Sequence, residues 1–184
     1  MGIDRRTVLT GLVSAGALLQ ASTQGEAASG PEINASAGAT LERFFYQVPG
    51  SQSLAARAAG VLVFPTVIKA GFGVGGEYGE GAMQVGGRTV AFYNVLSASI
   101  GFQLGAQARS VIILFMTPQA LGNFQRIDGW RVGVDGSVVL VAVGAGGSID
   151  TDKITNPVVG FILDSKGLMY NLTLEGSKIS RIYP

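Results

Sequence analysis

The segment Gly60–Gln107, GVLVFPTVIKAGFGVGGEYGEGAMQVGGRTVAFYNVLSASIGFQLGAQ, decides the fold. From Ala98 to Gln107 the residues alternate. Ala98, Ile100, Phe102, Leu104 and Ala106 are apolar, whereas Ser99, Gly101, Gln103, Gly105 and Gln107 are small or polar. A period of two marks a strand with one buried face. Gly71-Phe72-Gly73-Val74-Gly75 repeats the alternation with glycine on one face. Glycine weakens an isolated strand, so glycine repeated on one face predicts strong curvature or close approach by another element or a ligand. The segment opens on the apolar run Val61-Leu62-Val63-Phe64, closed by Pro65. Gly86-Gly87, between Ala82–Val85 and Arg88–Leu96, reads as a two-residue hairpin turn.

Downstream, Val111-Ile112-Ile113-Leu114-Phe115-Met116 is a continuous apolar run, as expected of a strand buried on both faces. Thr117-Pro118 supplies a helix cap followed by proline at the first helical position, starting a short helix through Leu121 and Phe124 that Asp128-Gly129 breaks. Trp130–Val134 and Ser137–Val143, joined by Asp135-Gly136, read as a second hairpin. Further strands are expected at Val158–Leu163, Leu168–Leu174 and Ile179–Tyr183. Upstream, Leu41, Phe44, Phe45 and Val48 fall at i, i+3, i+4 and i+7, one face of a helix over Ser36–Val48 that Pro49-Gly50 ends. Ser51 or Ser53 caps a second short helix stopped by Gly60. The fold class is therefore α+β: a mainly antiparallel, strongly curved, glycine-rich sheet of about eight or nine strands, barrel- or sandwich-like, with N-terminal helices and one short internal helix.

The chain begins with Asp4-Arg5-Arg6-Thr7-Val8-Leu9 and a mild apolar run to Leu19. That run, of roughly twelve residues, is shorter than the ~20 that span a bilayer. A charged start, a short apolar stretch and small residues after it describe an export signal of the twin-arginine kind over residues 1–28, with cleavage near Ala27 or Ala28. The organisation is then a signal at 1–28, a helical segment at 29–53 and the main domain at 54–184, with the mature chain periplasmic or membrane-associated. An uncleaved amphipathic anchor is the alternative.

Charged residues are only 14% and the formal net charge is +1, which argues against strong attraction to nucleic acid. The chain has neither cysteine nor histidine. Thiol catalysis, disulfides, Cys/His zinc sites and histidine-based triads are excluded. Gly71–Gly76 spells G-x-G-x-x-G, but a dinucleotide site needs a helix directly after it, and Glu77-Tyr78-Gly79-Glu80-Gly81 starts none. Glu77 and Glu80 fall on opposite faces of a strand, a poor acid–base pair. Asp150-Thr151-Asp152 lacks the remaining ligands of a calcium loop. Ser97 and Ser99 lack a base. No enzyme, metal or cofactor is indicated.

Binding has better material. Lys69 sits between an apolar strand and the glycine run, where a cation meets a lipid phosphate. Arg88, Arg109, Arg126 and Arg131 lie at expected strand or turn ends, either as a basic rim or as ordinary solvated charges. Phe44 and Phe45 either pack into the domain or enter a lipid interface. Glu77, Tyr78 and Glu80 have a structural alternative, a carboxylate pairing Lys69 or Arg88 and holding the curled strands in register.

Two runs in order, Lys69-Ala70-Gly71-Phe72-Gly73-Val74-Gly75-Gly76-Glu77-Tyr78-Gly79-Glu80-Gly81 and Ser97-Ala98-Ser99-Ile100-Gly101-Phe102-Gln103-Leu104-Gly105-Ala106-Gln107, resemble the SYLF family, also described as the Las17-binding or actin-regulator-like domain. The resemblance runs from about Leu54 to the C-terminus. It implies a lipid-binding module: eukaryotic members resemble phosphoinositide-binding and actin-associated proteins, and bacterial members are exported. The expected partner is an anionic phospholipid or membrane surface, met through Lys69 and the neighbouring arginines. The alternative is an envelope structural or protein-interaction domain without lipid specificity.

Overall fold

The computed structural model describes residues 28–143, 154–163, 174 and 176–184. Its elements are α1 (Gly30–Gln47), α2 (Ser51–Arg57), β1 (Gly60–Val85), β2 (Arg88–Phe115), α3 (Pro118–Arg126), β3 (Trp130–Arg131), β4 (Val139–Ala142), β5 (Val158–Leu163) and β6 (Lys178–Ile182). The fold class is α+β, with one strongly curved, mostly antiparallel sheet.

β1 and β2 form one very long antiparallel hairpin, running in register from Val85↔Arg88 to Gly60↔Phe115. Gly86 and Gly87, at φ 57° and 75°, make the turn. Positive φ at both central residues is the primed turn whose twist matches that of the strands it joins. The other edge of β2 is shared. Phe92–Leu96 pairs antiparallel with β6, and Ser110–Phe115 pairs antiparallel with β5. β3 extends the sheet beyond β6, and β4 lies parallel to β5.

Three sequence expectations change. The strand runs through Pro65 instead of ending there, because the register shifts between Phe64 and Val67 and a bulge tolerates a residue without an N–H. Trp130–Val134 and Ser137–Val143 do not form a hairpin: β3 pairs with β6, and β4 pairs with β5. Asp135 is used locally, accepting a hydrogen bond from the Arg131 backbone N–H at 2.7 Å. The first helix begins at Gly30, not near Ser36, because Ser29 and Glu32 close its first turn. The Ser29 N–H and hydroxyl both donate to Glu32 Oε2, at 2.9 and 2.8 Å. The helix after Met116 forms as expected, Thr117 Oγ1 accepting from the Ala120 N–H at 3.2 Å. The strand expected at Leu168–Leu174, the Asp150–Asp152 loop and the export signal lie outside the described residues, apart from Ala28 and Leu174.

The core has two layers, one on each face of the sheet. Val111, Ile113 and Phe115 pack with Phe64, Phe124, Trp130 and Ile162 inside the curl. Ile112 and Leu114 face the other way, under α1 and α2, with Ile33, Leu41, Phe44, Leu54 and Phe161. The C-terminal run of β2, Val111–Phe115, is thus buried on both faces, which is why its sequence is continuously apolar. The curl is tight enough that β1 meets itself. A Cβ on Gly81 would lie 2.3 Å from the Val63 carbonyl oxygen, and one on Gly79 would lie 2.7 Å from that of Thr66. Glycine at these two positions permits the close approach.

Candidate anion-binding site

Lys69 and Glu77 are both on β1. Along a straight strand their separation is roughly 26 Å, at ~3.3 Å per residue. The curl brings Lys69 Nζ to 3.2 Å from Glu77 Oε1. Arg109, whose register partner is Val67, enters from β2 and places Nη2 2.6 Å from Glu77 Oε2. All three side chains are largely withdrawn from water, with exposures of 14% for Lys69, 4% for Glu77 and 2% for Arg109. Arg109 lies on the face of the sheet that holds Val67 and Val111, so the group continues the inner core layer towards the glycine-rich half of the hairpin.

Among the described residues, the charges of this group do not cancel. Two cations face one carboxylate, and Arg109 Nε and Nη1 are buried without a hydrogen-bond partner. A buried donor left unmade costs about 1–3 kcal/mol. Surplus positive charge together with unfilled guanidinium donors is what an oxyanion completes, because a phosphate or carboxylate supplies both the charge and the acceptors.

The other sequence candidates have separate settings. Arg88 is exposed beside the Gly86-Gly87 turn. Arg126 is exposed in the last turn of α3, where it donates to the Gly122 carbonyl at 3.2 Å and to the Asn123 side chain. Arg131 is exposed on β3, 3.9 Å from Asp135 Oδ2. Arg109 itself is buried and belongs to the Glu77 group instead of to a rim. Phe44 is fully buried, its ring 4.8 Å from that of Phe161. It packs into the outer core layer and leaves no face for a lipid interface. Phe45 is half-buried against the same layer. Gly71–Gly76 lie inside β1, so no helix starts behind them.

Three features escaped the sequence reading. Arg43 of α1 donates to Ser110 Oγ at 3.1 Å, and Ser110 donates in turn to the Pro65 carbonyl at 2.7 Å, tying the helix to the bulge. Glu80 accepts from the Tyr78 hydroxyl at 2.6 Å and from the Ala28 N–H at 3.2 Å. Ile68, Tyr78 and Leu96 are about half exposed, and Tyr78 and Leu96 are register partners on the outer face of the hairpin. No local pattern announces a contact made across a curl, but exposed apolar residues at strand positions are visible in the alternation. A cleft of about 680 Å³ lies elsewhere, between the start of α1, β2 and the C-terminal residues, with Phe92, Arg181 and Tyr183 in its wall.

Residues 96–182 match the family described as Ysc84, Las17-binding protein actin regulator. Over this stretch the chain is similar to that family. The match opens at Leu96 within β2 and closes at Ile182, the end of β6, so it takes in β3 to β6 and α3. Arg109, Arg126 and Arg131 fall inside the matched Ysc84 stretch, whereas Lys69 and Glu77 come from the preceding strand that completes its hairpin. The match takes in Ser97–Gln107, the second of the two runs that carry the SYLF resemblance, whereas Lys69–Gly81 lies before it. No curated protein matches the chain.

Proposed function

We propose that the protein is a non-catalytic module that binds anionic phospholipid head groups at the curled half of its long hairpin, acting in the cell envelope after export. The observation that carries this reading is the Lys69–Glu77–Arg109 group, with two cations to one carboxylate and two unfilled nitrogens on Arg109. The half-exposed Ile68, Tyr78 and Leu96 lie on the opposite, outer face of the same strands, where they offer apolar contact separate from the charged group. Tyrosine, with an apolar ring and a polar tip, suits the interface between head groups and chains.

The test compares wild type, Lys69→Glu and Arg88→Glu on vesicles containing phosphatidylglycerol. Lys69→Glu reverses the charge of the group, and its binding falls at least tenfold. Arg88→Glu sits outside the group and leaves binding within about twofold. Equal losses in the two variants contradict a localised site and point to diffuse electrostatic attraction.

A protein partner is the second reading. It is favoured by the family's description as Las17-binding and by the 680 Å³ cleft, at whose edge Tyr183 and Val90 are 84% and 47% exposed.

A further inference from the structure

The N-terminal end of the described chain lies against a carboxylate. The Ala28 backbone N–H donates to Glu80 Oε2 at 3.2 Å, across 52 residues of sequence. Ala28 borders a pocket of about 260 Å³ whose wall contains Glu32 and Ile33 of α1, and Ile68, Tyr78 and Glu80 of β1. Two carboxylates line this pocket, and among the described residues no lysine or arginine does. The donors these carboxylates accept from, the Ala28 and Ser29 N–H groups and the Ser29 and Tyr78 hydroxyls, carry no full positive charge.

The sequence just before Ala28 is Gly25-Glu26-Ala27. Export peptidases require small residues at the first and third positions before the cut. Cleavage after Ala27 places Ala27 and Gly25 there, whereas cleavage after Ala28 places Glu26 at the third position. We infer that the Ala27–Ala28 peptide bond is the processing site, and that the α-ammonium group released on Ala28 forms an ion pair with Glu80 that fastens the start of α1 to β1. The inference rests on the reading of residues 1–28 as a removable export signal. Water adds to the Ala27 carbonyl, the C–N bond breaks, and Ala27 departs as a carboxylate with the leader. Ala28 keeps its nitrogen, which takes up a proton because an α-amino group titrates near ~8.

The new cation stands two residues before Gly30, the first residue of α1. A positive charge at a helix N-terminus opposes the helix dipole. Glu80 from β1 and Glu32 from α1 offset it, and the Tyr78 hydroxyl, held on Glu80 Oε1 at 2.6 Å, orients that carboxylate. These are the charged and titratable groups that face the site among the described residues. Processing thereby replaces a neutral amide donor with an ammonium, turning a hydrogen bond to the carboxylate into a salt bridge at the seam between the first helix and the sheet.

The full chain is expressed with its leader, and the N-terminus of the exported protein is determined by intact mass and sequential degradation. The expected first residue is Ala28. On that protein the Ala28 α-amine is titrated by NMR in wild type, Glu80→Gln and Tyr78→Phe. The amine titrates about half a unit to one unit above ~8 in wild type and in Tyr78→Phe, and returns to ~8 in Glu80→Gln. A raised amine value means that the stabilisation is full below ~8 and fades as pH climbs through the raised value. The thermal midpoint of the processed protein therefore exceeds that of its Glu80→Gln form by about 1–3 °C at pH 7, and the gap shrinks at pH 9.5. An exported protein that begins at another residue overturns the site. An α-amine that titrates identically with Glu80 or Gln at position 80 overturns the ion pair. A chain retained uncut in the cytoplasm overturns the leader reading and the inference with it, whatever the vesicle measurements show.

Discussion

Glu77 holds both arms of the hairpin, one cation from each, and it does so out of contact with water. Replacing it by glutamine leaves Lys69 and Arg109 facing each other without a counter-charge. Losing one partner of a buried ionic group costs about 3–5 kcal/mol, so Glu77→Gln lowers the denaturant midpoint sharply with little change in slope. Tyr78, next along the strand, points outward, and its phenol is pushed up to about 12 by burial first and by the bond to and charge of Glu80 second. Because the folded chain holds this proton more tightly than the unfolded chain, its contribution is present below pH ~10 and is lost as pH rises towards 12. Absorbance titration shows Tyr78 ionising later than an ordinary tyrosine, and Glu80→Gln brings it earlier without restoring the usual value, since burial remains. The sequence left open, as an alternative, a carboxylate of Glu77 or Glu80 pairing Lys69 or Arg88, and the structure pairs Glu77 with Lys69. The sequence could not reveal Arg109, which lies 32 residues from Glu77 and reaches it only because β1 curls.

The elements show where local chemistry is enough and where it is not. Thr117-Pro118 starts α3 by short-range geometry alone, and its cap bond to Ala120 forms as its residue types require. Thr117→Ala is expected to cost about 1 kcal/mol, read from chemical denaturation. The start of α1 was equally available in Ser29-Gly30-Pro31-Glu32, a capping box with an early proline, but the apolar spacing further on drew the boundary inward. The Asp135-Gly136 dipeptide misled because its turn signal is real while its flanking strands find partners elsewhere, a choice made by tertiary pairing. Gly79 and Gly81 of β1 sit where the strand meets itself. Gly81→Ala places a methyl on the Val63 carbonyl, and the overpacking costs about 1–3 kcal/mol or more in an unfolding titration. Gly122→Ala, at a helical position with open space around it, is neutral or slightly stabilising by the same measurement.

At the scale of the whole molecule, one strand organises everything. β2 pairs with β1 along one edge and with β6 and then β5 along the other, and its C-terminal residues Val111–Phe115 feed both core layers. That apolar run was readable before its strand partners were, because burial on both faces shows in the residue types alone. α1 closes the outer layer through Phe44, and Phe44→Ala should cost about 3–5 kcal/mol, measured by denaturant unfolding. The inner layer passes from apolar packing into the Lys69–Glu77–Arg109 group, so the same curl that completes the fold also concentrates uncompensated positive charge at one place. That charge is the basis of the proposed function. The direct measurement is co-sedimentation of the folded exported protein with phosphatidylcholine vesicles and with vesicles that also contain phosphatidylglycerol, at low salt and at about 1 M salt, where the screening length falls to ~3 Å. Binding to the anionic vesicles only, weakened by salt, is the predicted result. No binding to either, from protein shown to be folded, or equal binding to both would contradict recognition of an anionic head group.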